Sequence, residues 1–139
     1  PFCLLLVLAA AVVCWSGGFD IIYALQDAEF DTRHGLHSVP STFGVHRAVG
    51  IARLLHVLAV GCFAAVVAAQ PLGNATPLVQ GVLWTAVVGI ALMLLWEHRL
   101  VKADDLSRID AAFFTMNGLI SLGFLAFVLT ARLLLPETP

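Results

Sequence analysis

The residues best equipped for chemistry gather in one stretch, FDIIYALQDAEFDTRHGLHSVPSTFG, residues 19–44. Wound as a helix of 3.6 residues per turn, this stretch puts Asp20, Tyr23, Ala24, Asp27 and Asp31 on one face and turns Glu29 away from it. Asp27 and Asp31 are four apart, so their carboxylates stand one above the other. Such a pair suits a hard divalent cation, because magnesium binds through one or two carboxylates plus substrate phosphates. Arg33, His34 and Arg47 are near in sequence and could bind a diphosphate. Two acids at this spacing also occur on any solvated helix end. The third carboxylate, Asp20, and the uncharged apolar run before it favour a site. A charge at the centre of a membrane helix costs at least about 2.5 kcal/mol, and such residues usually face a protein interior or wet cavity. Tyr23 alone is more often an interfacial anchor than a catalytic group.

The elements that must position these residues follow from composition. Of 139 residues, 60% are hydrophobic and 12% charged, against roughly 25% charged in soluble proteins. No Asp, Glu, Lys or Arg occurs from Leu54 to Trp96 or from Ala111 to Ala131. Each stretch is long enough to cross a bilayer, which takes about 20 apolar residues. The expectation is an all-α membrane protein of about four transmembrane helices. Helix one runs from Phe2 to Asp27 or beyond, and a polar loop with breakers Gly35, Pro40 and Gly44 covers 28–43. Helix two runs from Val45 to before Pro71, and PLGNATP (71–77) is a turn. Helix three runs from Leu78 to Glu97, a charged loop covers 98–107, and helix four, with Ser107 as a candidate cap, runs to about Leu135.

Basic residues set the expected orientation. Arg33 and Arg47 flank the first loop, and Arg99, Lys102 and Arg108 the third, so both face the cytoplasm. The turn at 71–77 then faces outward, and Arg132 dissents. Hydropathy excludes a soluble enzyme, and the lack of a basic patch sets nucleic acid aside. Cys3, Cys14 and Cys62 match no zinc or redox spacing and read as packing residues. The N-terminal apolar run has no basic residue before it, and Val13 is too large for a cleavage site. Residues 1–19 therefore read as a membrane helix entered part-way, and the chain as a fragment.

Within helix two, Arg53 and His56 could each face a central cavity; Arg53 reads equally as snorkelling to the cytoplasmic surface. Asp110, Asn117 and Ser121 share a face of helix four, where small polar groups often join helices. Glu97, His98 and Arg99 read as a solvated helix end.

Three blocks of sequence resemble the UbiA superfamily of intramembrane prenyltransferases. Tyr23, Asp27 and Asp31 resemble its second aspartate-rich motif, Tyr-x-x-x-Asp with a further Asp four on. GLHSVPSTFG (35–44) and EHRLVKADDLSRIDAAFFTMNGLIS (97–121) resemble the following loop, and the last loop and helix, of the 4-hydroxybenzoate polyprenyltransferase-like branch. Position 110 is Asp where that branch suggests Asn. The resemblance implies a nine-helix bundle of which this chain supplies helices six to nine, so that residues 1–139 form the C-terminal part of one membrane-embedded prenyltransferase domain. The family's first motif, Asn-Asp-x-x-Asp, is absent from the chain, which implies an inactive fragment needing the missing N-terminal half.

The resemblance further implies the reaction. A polyprenyl group passes from polyprenyl diphosphate to an aromatic hydroxy acid, such as 4-hydroxybenzoate, in ubiquinone or menaquinone synthesis. Magnesium is the cofactor, and the setting is the bilayer of a bacterial inner membrane with the active site facing the cytoplasm. Asp27 and Asp31 would hold metal, Asp20 and Tyr23 would shape the site, and Arg33, Arg47 and Arg53 would contact diphosphate. The rival class is a transporter or proton-relay subunit, which also buries carboxylates in helices but needs no magnesium.

Overall fold

The computed structural model describes residues 2–69, 77–101, 109 and 111–134. Among these the chain is helical throughout, apart from short connections. Helix α1 (Phe2–Ala24) passes through a 3-10 turn (Leu25–Asp27) into α2 (Ala28–His34). A short α3 (Val39–Phe43) leads to α4 (Val45–Ala68), then α5 (Pro77–Leu100), and a π-helical segment (Ala111–Met116) opens α6 (Asn117–Leu134). Four rods are long and apolar enough to span a membrane: 2–34, 45–68, 77–100 and 113–134. Helices satisfy their own backbone hydrogen bonds, which is what hydrocarbon demands of a spanning segment.

The expected loop at 28–43 is largely helical. Residues 28–34 extend the first rod for a local electrostatic reason. Glu29 and Asp31 sit in its first turn, and Arg33 and His34 in its last, which complements the helix dipole. Glu29 also pairs with Arg33 one turn on. The rod stops at Gly35, which takes the left-handed conformation at φ 66°; the backbone N–H groups of Gly35 and Leu36 both donate to the Asp31 carbonyl. Ser38 then caps α3 in a reciprocal exchange with Ser41, and Gly44, at φ 83°, turns the chain into α4. Gly35 and Gly44 thus act as breakers, and the polar link between them is short.

Helices α1 and α4 pack antiparallel. Ile21, Ile22 and Leu25 meet Ala48, Val49 and Ala52 at one end, while Ala11 meets Phe63 and Val67 at the other. Lipid offers no hydrophobic gain between helices, so close backbone approach by small residues supplies the packing. Ala48, Ala52 and Ala59 are fully buried and sit on one stripe of α4 at spacings of four and seven. His56 lies between them on that stripe. The other core group joins Phe19 of α1 to Ile90 and Leu94 of α5 and to Met116 and Ile120 at the last rod. Leucines, valines and phenylalanines are exposed along every rod, an outer surface suited to lipid or to further helices.

Helix α5 runs to Leu100, past the expected end at Glu97. The expected turn at 71–77, apart from Pro77, lies outside the described residues, as do Lys102, Ser107, Arg108 and Asp110.

Candidate functional site

The sequence-predicted residues occupy the lower part of the first rod and its continuation. Asp20 is exposed on α1, Asp27 is exposed at the end of the 3-10 turn, and Asp31 is half-buried on α2. A 3-10 turn winds 120° per residue rather than 100°. Asp27 and Asp31 are therefore offset by about 60° from the bearing that an unbroken α-helix gives them relative to Asp20 and Tyr23. Their own one-turn relation is kept. No described residue hydrogen-bonds or ion-pairs with any of these three carboxylates. Asp27 stands at the N-cap of α2, yet its side chain makes no capping bond. Unpaired oxygen donors at this spacing fit a magnesium ion that also takes phosphate oxygens.

Tyr23 is 41% exposed. Its ring lies 4.5 Å from that of Phe113 and 6.1 Å from that of Phe114, centroid to centroid. Both phenylalanines belong to the π-helical segment, a local widening often found at functional sites. The segment thus braces the tyrosine that stands between Asp20 and Asp27.

The basic candidates separate. Arg33 is held by Glu29, with both side chains exposed. Arg47 is exposed in the first turn of α4. Arg53 lines a groove of about 470 Å³ between α4 and α5, together with His56, His98 and Arg99 and an apolar wall that includes Val57 and Leu94. None of the three aspartates borders that groove.

A second constellation lies deep in the bundle. His56 and Glu97 are buried, with 2% and 0% of their surface exposed, and His98 is half-buried. Among the described residues this is the one group of three potential metal ligands whose donor atoms lie within 4.8 Å of one another. His56 Nδ1 is 3.0 Å from His98 Nε2 and 3.4 Å from Glu97 Oε2. His56 Nε2 lies 3.2 Å from the Trp15 carbonyl oxygen. A carbonyl only accepts, so Nε2 carries the proton and Nδ1 presents its lone pair to the cluster. Gly18 leaves room for the ring: a Cβ there would sit 2.2 Å from His56 Nε2.

The solvated helix end expected at 97–99 is therefore corrected. Glu97 continues the buried stripe of Ile90 and Leu94 on α5, and that 4-then-3 spacing is the signal that places it inward. His56 could be found in the same way, as the polar member of the Ala48, Ala52, Ala59 stripe.

No curated protein and no solved structure matches the chain. The model of the UbiA prenyltransferase family matches residues 3–131, which takes in both constellations and all but the extreme ends of the four spanning rods. The chain is an integral membrane protein and belongs to the UbiA prenyltransferase family.

Proposed function

We propose that this chain carries one metal-binding half of a magnesium-dependent site that transfers a polyprenyl group from its diphosphate to an aromatic hydroxy acid such as 4-hydroxybenzoate. The setting is quinone synthesis, towards ubiquinone or menaquinone, at the cytoplasmic face of a bacterial inner membrane. One observation carries the reading. A chain of the UbiA family holds Asp27 and Asp31 one turn apart at the end of a spanning rod, with no described partner for either carboxylate. The first aspartate motif of the family would come from helices outside residues 1–139.

Asp27 and Asp31 would hold the cation. Bound magnesium would neutralise the diphosphate and stabilise it as a leaving group. The chain's own residues orient and enclose the reacting groups. Asp20 and Tyr23 shape the wall nearest the membrane, and the Phe113 and Phe114 rings fix Tyr23. Arg47 would approach the diphosphate with no ion pair to a described residue, whereas Arg33 must first leave Glu29. Arg53, on the separate groove, is the weakest diphosphate contact of the three. A prenyl cation is destroyed by water, so chemistry inside an apolar bundle protects it until the aromatic ring attacks.

The test is transfer of a labelled prenyl group by the protein containing these residues in membranes, with magnesium varied. Asp27→Asn and Asp31→Asn should each lower the rate while the protein remains folded. Full activity in both variants without magnesium rules the reading out.

A further inference from the structure

The His56, Glu97 and His98 cluster has no part in the proposed diphosphate chemistry, and its geometry poses a separate problem. Glu97 is fully buried, and neither of its carboxylate oxygens has a hydrogen-bond partner among the described residues. A buried, unsatisfied carboxylate is costly anywhere and more so in a spanning segment. Two imidazoles, His56 on α4 and His98 on α5, nonetheless converge on it.

We propose that His56 Nδ1, His98 Nε2 and a Glu97 carboxylate oxygen hold a divalent cation of the zinc class, a second metal site distinct from the aspartates. The spacing supports a shared ion. Ligands about 2.0–2.1 Å from a tetrahedral zinc stand roughly 3.3–3.4 Å from one another, and the two spacings about His56 Nδ1 are 3.0 and 3.4 Å. Tautomer chemistry supports it as well. The Trp15 carbonyl fixes the proton of His56 on Nε2, the arrangement by which an outer partner orients a metal-binding imidazole. A hydrogen bond between the two imidazoles would satisfy His56 Nδ1 but leave both Glu97 oxygens bare. A cation satisfies all three donors at once.

The donor set decides the metal. Two imidazoles and one carboxylate suit zinc and its neighbours, whereas magnesium prefers oxygen ligands throughout. His56 and His98 also line the 470 Å³ groove, so a remaining coordination position opens towards it. The ion would join α4 to α5, with α1 held against His56 by Gly18 and the Trp15 carbonyl. This inference does not rest on the prenyl-transfer reading.

The experiment uses the detergent-solubilised protein, stripped with a chelator and titrated with Zn(II) or Co(II) alone. Stoichiometric uptake is expected, with a rise in melting temperature on adding Zn(II). The Co(II) form should show visible d–d absorption, and X-ray absorption of the Zn(II) form should reveal two imidazole ligands. Glu97→Gln and His98→Gln should abolish stoichiometric uptake. Wild-type protein that keeps its helicity but takes up neither metal overturns the proposal, as does an all-oxygen ligand shell in the wild type. Uptake undiminished in both variants overturns it too. Should the variants fail to fold, the ligand shell of the wild type decides alone.

Discussion

The aspartate stretch and the His56 cluster place acidic groups under opposite conditions. Asp20 and Asp27 are exposed, Asp31 is half-buried, and all three lie in the second half of the first rod without described partners. Glu97 is sealed between helices, with two histidines beside it. A carboxylate exposed near a rod's end, with no described partner, is held in place by little, so it is free to serve a ligand that comes and goes. A sealed one disturbs the packing unless something stays with it. The first arrangement suits a substrate-linked cation, the second a resident one. Substitutions should therefore separate catalysis from stability.

The largest effect should fall on Asp27 and Asp31. Replacement of either by Asn keeps the shape and removes a charge, and prenyl transfer should fall by at least ~100-fold, as with loss of other strong electrostatic contributions. Thermal unfolding in detergent should barely move, because these side chains are not in the core. A large loss of melting temperature would merge the two regions into one structural network. Raised magnesium should partly restore the milder variant, which an activity titration will reveal.

Gly18→Ala should do the reverse. Its Cβ would overlap the His56 ring, and overpacking of this kind costs roughly 1–3 kcal/mol. The melting temperature should drop, while transfer activity per folded molecule stays close to wild type. A loss of turnover without a loss of stability would tie the buried cluster to the reaction.

Arg47→Ala tests the basic side of the aspartate region. If its guanidinium meets the diphosphate, loss of one charge-assisted bond should raise KM for the prenyl donor roughly tenfold, with a smaller effect from Arg53→Ala. Equal effects would bring the α4–α5 groove into the donor site. The smallest change is expected for Glu29→Gln. Its pairing with Arg33 is an exposed i,i+4 contact, of a kind that contributes at most about 1 kcal/mol. Activity should stay within about twofold of wild type, and damage equal to that of Asp27→Asn would refute the division of roles along this rod.

Much of this was legible without coordinates. Uncharged, continuously apolar runs of spanning length, such as 54–96, point to helices, because the bilayer admits only helices and closed barrels and a barrel strand is shorter and alternates apolar with polar. Gly35 and Gly44 mark the chain's turns because a left-handed backbone favours glycine. The pairing of Asp27 with Asp31 follows from helical periodicity alone. Residues 28–34 read as loop from sequence, since polar composition hides a short helix held by Glu29 with Arg33 and by complementary end charges.

Tertiary structure alone decided the rest. His56 and Glu97 are 41 positions apart, and nothing local to either announces the other; they meet because antiparallel rods bring the middle of α4 to the end of α5. Glu97, His98 and Arg99 look like a charged helix end, and only packing against α4 seals the first of them while leaving the last exposed. The sequence by itself determined four rods and a pair of carboxylates one turn apart, because both depend on neighbours within a few residues. It did not determine the His–Glu–His cluster, because that depends on which faces of distant helices touch.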